Sequence, residues 1–143
     1  MFEAKWYMGS EAVCTLEKVN IRVLPSDEYA VQLFVTEKDD GSMIAVGTIC
    51  PDMQTGDVCI SRITLMPKYA GTIYNELVLR MLLFKTQQMQ NTKIYMWADE
   101  EEQKLLVPFG FASNGEKNDE SGKPLIKMQV KTADIVWPSQ CKH

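Results

Sequence analysis

Hydrophobic positions follow two rhythms along this chain, and the change from one to the other falls at Pro67. Before it, short apolar runs are separated by polar turn clusters, which predicts strands. Residues 2–8 are aromatic-rich and read as a first strand, broken by Gly9-Ser10. Val13, Leu16, Val19 and Val23 then recur at helical spacing, predicting a helix capped by Ser10 and ended by Pro25. Residues 29–36, 43–50 and 58–66 are dense in β-formers, with Asp40-Gly41 as a hairpin turn and 51–56 as a second turn. This half reads as an antiparallel meander.

After Pro67 the period lengthens. Residues 71–90 carry the longest helical pattern, with Ile73, Leu77, Met81 and Phe84 on one face, widened by Val78, Leu82 and Leu83. So wide a stripe predicts a helix largely buried against a sheet. Residues 93–98 read as a strand, and strand–helix–strand implies a parallel pair. Asp99 with Glu102 three residues on resembles a capping box, opening a short helix to about Val107 that Pro108-Phe109-Gly110 stops. Residues 111–113 and 124–131 read as closing strands across a polar loop, 114–123. The tail, 132–143, carries no clear pattern. The order β-α-β-β-β-α-β-α-β-β predicts a single α/β (α+β) domain over 1–143, a mixed sheet with helices packed on both faces.

Composition narrows the function classes. A chain of 143 residues, 45% hydrophobic and 24% charged, suits one globular domain. A net charge of −4 disfavours a nucleic-acid partner. No apolar run approaches the roughly 20 residues a bilayer span needs, and the N-terminus lacks a secretory pattern, so a cytoplasmic protein is expected. The four cysteines (Cys14, Cys50, Cys59, Cys141) are scattered and the one histidine is His143. That spacing gives a zinc site no support and predicts free buried thiols.

The strand order, the run Ile60-Ser61-Arg62-Ile63-Thr64-Leu65-Met66-Pro67 and the following Lys68-Tyr69-Ala70-Gly71 resemble the GNAT N-acyltransferase superfamily. Ala45-Val46-Gly47-Thr48 is similar to that family's third strand, and Phe109-Gly110-Phe111 with 122–128 to its ending, so the resemblance spans most of the chain. It implies acetyl transfer from acetyl-CoA to a primary amine, on a small molecule or a protein, by direct attack. Ile63 and Leu65 would meet the pantetheine arm, and Gly71, Thr72, Ile73 and Tyr74 the pyrophosphate. A homodimer through the late strands and the tail Ile135-Val136-Trp137 is a further implication.

The sequence departs from the family pattern where chemistry is concentrated. The turn motif R/Q-x-x-G-x-G/A is met here by Ala70, Ile73 and Asn75, with Gly71, Thr72 and Lys68 nearby. A helix start still favours an anion, but an Ile adds bulk where a glycine allows close approach. Leu106 stands at the position of the family's acidic tyrosine, and Leu125 where one branch has a histidine. A general acid contributes roughly 10²–10⁴-fold, so the resemblance implies a slow enzyme or, as the alternative, a lapsed binding module. Asp99 reads either as a helix cap or as a base that deprotonates the amine. Arg62 reads as an ion-pair residue or a carboxylate ligand, and Arg22 as a charge suited to a helix C-terminus.

Overall fold

The computed structural model describes residues 1–89, 93–119 and 122–138. Strands β1 (Phe2–Met8), β2 (Val31–Glu37), β3 (Met43–Pro51), β4 (Val58–Leu65), β5 (Lys93–Ala98), β6 (Ala112–Asn118) and β7 (Leu125–Lys131) form one sheet in the order β1-β2-β3-β4-β5-β7-β6. Helices α1 (Gly9–Lys18), α2 (Tyr74–Gln87) and α3 (Glu100–Leu106) complete the expected order. Every neighbouring pair is antiparallel except β4 and β5, which the crossover through α2 makes parallel.

Alternation along β2 and β3 divides the apolar residues between two layers. Leu33, Val35 and Ala45 join Val78, Leu79, Leu82 and Leu83 of α2 in the main core. Phe34 and Val46 point the other way, onto Ala12 and Leu16 of α1. Gly47 sits beneath α2, where a Cβ would lie 2.6 Å from Val78 Cγ1. The missing side chain lets α2 seat directly on the sheet.

Three expected elements differ in their details. The first helix ends at Lys18, not at Pro25, and Ser10 does not cap it. Asn20 takes a left-handed φ of 61°, and the amides of Asn20 and Ile21 return to Glu17 O (3.1 Å) and Leu16 O (3.0 Å). This is a Schellman ending with asparagine in the glycine role, after which Ile21 and Val23 pack over the face of the sheet with Phe34 and Val46. The second helix begins at Tyr74 and buries Val78, Leu79, Leu82 and Leu83, while Ile73 and Phe84 of the expected face are exposed. Strand β6 takes in part of the expected polar loop; as an exposed edge strand it needs no apolar alternation. Of the cysteines, Cys50 is buried, Cys59 is half-buried and Cys14 is exposed, contrary to the expected burial; Cys141 lies outside the described residues.

Candidate active site

The centre of the molecule is a wedge opened by β4. Opposite β3, Thr48 faces Arg62 and Ile49 faces Ile60, so Ser61 is an extra, bulged residue. The bulge resets the alternation. Ile60, Ile63 and Leu65 all reach the α2-side core, while Arg62 turns to the other side beside Thr48. A bulge also adds twist, and β4 accordingly pairs with β5 only at Val58↔Ile94 and Cys59↔Tyr95. Beyond Cys59 the two strands part, and among the described residues no strand pairs with the β5-facing edge of β4.

Two cavities meet at this wedge. The larger, about 660 Å³, is bordered by β4 from Cys59 to Thr64, Met96 and Trp97 of β5, Leu125, and the segment after α1. The smaller, about 160 Å³, lies between the start of α2 and α3, against Ile63, Leu65, Asn75, Glu101, Glu102 and Leu105. Ile63 and Glu102 border both. The expected pantetheine residues Ile63 and Leu65 are thus brought to the small cavity. An unpaired strand edge there suits an extended, amide-bearing arm, which could bond to it as an added strand would.

A buried ion pair fixes the wall of the larger cavity. Arg62 Nη1 and Nη2 donate to Asp27 Oδ1 and Oδ2, each at 3.0 Å, and Nη2 also donates to Arg22 O at 2.8 Å. Asp27 accepts from the Leu24 amide (2.7 Å) and Gln32 Nε2 (2.8 Å), and Thr48 Oγ1 donates to Gln32. Burial pushes the Asp27 carboxyl up, but Arg62, the Leu24 amide and Gln32 outweigh it and hold the group below its ordinary value. Arg62 is therefore an ion-pair residue. It ties Arg22 and Leu24, both bordering the cavity, to the bulged strand. Arg22 lies beyond the end of α1, on the cavity rim, and not in the last helical turn. The sequence signal was available in Gln32 and Thr48, two polar residues inside apolar strands.

The turn before α2 uses part of its own backbone hydrogen bonding, Thr72 of the expected pyrophosphate residues included. The amides of Tyr69, Ala70 and Thr72 donate to Met66 O, Pro67 O and Tyr69 O at 2.8, 3.2 and 3.2 Å, so they are spent within the turn. Gly71 has φ 77° and open space around its Cα, but Ile73 is 78% exposed just beyond it. Tyr74 packs edge-on to Phe2 and Tyr69, at 6.1 and 5.5 Å between ring centroids. It belongs to an aromatic cluster that holds β1 to the turn.

The two carboxylates of the capping box at the start of α3 have opposite characters. Asp99 Oδ1 accepts the Glu102 amide and Glu102 Oε1 accepts the Asp99 amide, each at 2.9 Å, completing the expected capping box. Asp99 Oδ2 also meets Lys123 Nζ at 3.3 Å. The Glu102 amide, then Lys123, holds Asp99 below its ordinary value. Burial instead pushes Glu102 up, helped by the charge of Asp99. Asp99 borders neither cavity, whereas Glu102 borders both. Asp99, read as either a cap or a base, caps α3 and pairs with Lys123, while its partner Glu102 borders both cavities. Leu106 is fully buried in the core, and Leu125 borders the larger cavity.

No family model matches the sequence, and no curated protein matches it. Solved structures do resemble the fold. An acyl-CoA N-acyltransferase from Pseudomonas aeruginosa superposes with a TM-score of 0.74 at 17% identity, covering 90% of this chain and 99% of that one. ElaA from Escherichia coli gives the same figures: TM-score 0.74, 17% identity, 90% and 99% coverage. The spermidine/spermine N-acetyltransferase SpeG from Vibrio cholerae superposes with a TM-score of 0.71 at 12% identity, over 92% of this chain and 93% of that one. With a parted parallel strand pair, a bulged fourth strand and these likenesses along nearly its whole length, the chain has the GNAT fold.

Proposed function

We propose that the protein transfers an acyl group from an acyl-CoA, acetyl-CoA in the simplest case, to a primary amine. The observation that carries this reading is the unpaired edge of β4 where two cavities meet. A donor arm laid along that edge would present its thioester at the seam, and an amine in the larger cavity would face it. The nitrogen then attacks the carbonyl directly, with no covalent enzyme intermediate. Holding both partners in the wedge can supply about 7–11 kcal/mol of the barrier. A missing general acid at Leu106 withholds roughly 3–5 kcal/mol, so turnover is expected to be slow.

Thermal unfolding with acetyl-CoA, and with free CoA as a control, tests the reading. Ligand at 100 times its dissociation constant adds about 2.7 kcal/mol, which raises the midpoint by about 5–10 °C in a domain of this size. Release of free CoA with a panel of primary amines then tests turnover. The closed turn and exposed Ile73 favour a second reading, a binding module that has lost acyl transfer. An unchanged midpoint at millimolar acetyl-CoA, with no CoA release, selects that module instead.

A further inference from the structure

We infer that Glu102 is the proton acceptor of this site, a role that rests on the acyl-transfer reading above. The argument starts from position. The two cavities have Ile63 and Glu102 as their shared border. Ile63 has no titratable group, so among the described residues Glu102 is the shared one able to exchange a proton where amine and thioester would meet. Its place is fixed from behind, because Oε1 accepts the Asp99 amide at 2.9 Å. Helix α3 thereby delivers the carboxyl to the seam without a mobile loop.

The surrounding charges fit the role. At the N-terminus of α3, its cap Asp99 raises the proton affinity of Glu102, and from α3 itself Glu101 borders the smaller cavity. Lys123, before β7, opposes this but is engaged by Asp99. Arg62 of β4 is consumed by Asp27, and Arg22 stands on the far rim after α1. Burial is the largest influence and lifts the carboxyl above its ordinary value, nearer to neutral pH, where a base is most effective. In the step, the amine nitrogen forms a C–N bond to the acyl carbon and gives its proton to Glu102. The C–S bond breaks with its electron pair on sulfur, and solvent protonates the thiolate.

The test compares the wild-type protein with Glu102→Gln and Glu102→Asp. The glutamine keeps an acceptor for the Asp99 amide, and thermal unfolding of each variant establishes that it folds. With acetyl-CoA and the primary-amine panel, Glu102→Gln is expected to lose about 100-fold or more in kcat and to lose the acidic limb of the pH profile. Glu102→Asp keeps that limb at a reduced rate, and the acetyl-CoA thermal shift stays the same in both variants. Carbon-13 labelling of the glutamates, with the Glu102 signal assigned by its absence in Glu102→Gln, is expected to show titration above the ordinary 4.5. An ordinary titration overturns the assignment, as does a Glu102→Gln rate within threefold of wild type or acetyl-CoA binding without turnover. A wild-type protein that neither binds acetyl-CoA nor acylates any amine overturns the acyl-transfer reading and this assignment together.

Discussion

The edge of β4 and the turn that follows it lie a few residues apart, yet they treat their backbone groups in opposite ways. Past Cys59, β4 leaves its β5-facing edge without a strand partner among the described residues. The turn at 67–73 folds the amides of Tyr69, Ala70 and Thr72 back onto its own carbonyls. One region opens beside a bulge, with a buried ion pair at the cavity wall, and the other has closed on itself. An acyl donor in this site would therefore be gripped by its arm and only loosely by its phosphates. Local backbone satisfaction, more than the identity of any one side chain, separates the two.

The largest effect is expected where the open region is anchored. Arg62→Met leaves Asp27 buried and unpaired, which costs about 3–5 kcal/mol, or about 10–20 °C in Tm. Calorimetry reads the loss directly, and a drop below about 3 °C would show that the pair does not hold the wedge. The closed region responds more modestly. Ile73→Gly restores a small residue at an exposed position, and acetyl-CoA affinity is expected to rise up to about tenfold, or about 1.4 kcal/mol. Titration calorimetry measures this, and weaker binding would mean that Ile73 itself touches the donor.

A fragment pair sharpens the same contrast. Acetyl-pantetheine is expected to bind the protein more tightly than 3′,5′-ADP, and the reverse order would place the grip in the turn. The smallest effect is in the pH dependence. Asp27 and Asp99 titrate below their ordinary 3.8, so their stabilisation is present above that pH and is lost as pH falls through the lowered values. Glu102 works with the opposite sign: its raised value favours the folded protein when protonated, and that advantage is lost as pH rises from 4.5. Denaturant unfolding should therefore show Glu102→Gln gaining on wild type between pH 4.5 and 7, and a constant difference would contradict the raised value.

The sequence carried the elements well, because β2 to β5 and α2 write their burial as short apolar runs and a wide stripe. The capping box at Asp99 and Glu102 was legible for the same local reason. Which of the two carboxylates faces the site was not, since that depends on where β4 and β5 part. The bulge at Ser61 is a register shift against β3, and its one local trace is the change of apolar phase from Val58 and Ile60 to Ile63 and Leu65. Val19 and Val23 extended the apparent period of α1, although Asn20 had already ended the helix. Strand β6 is polar because it is an exposed edge, so hydrophobic rhythm had nothing to report.

The parting of β4 from β5 also bears on how the protein avoids its own kind. A bare strand edge is a template for any chain able to pair with it, and proteins commonly cover, charge or shorten such edges. Here the bare stretch lies inside the sheet, with β5 on its far side. A neighbouring sheet cannot bring its own edge into that slot without colliding with β5. The proposed acyl donor would enter as a slender arm, so shape at the scale of one strand width would act as a filter between a thread-like ligand and another protein's edge.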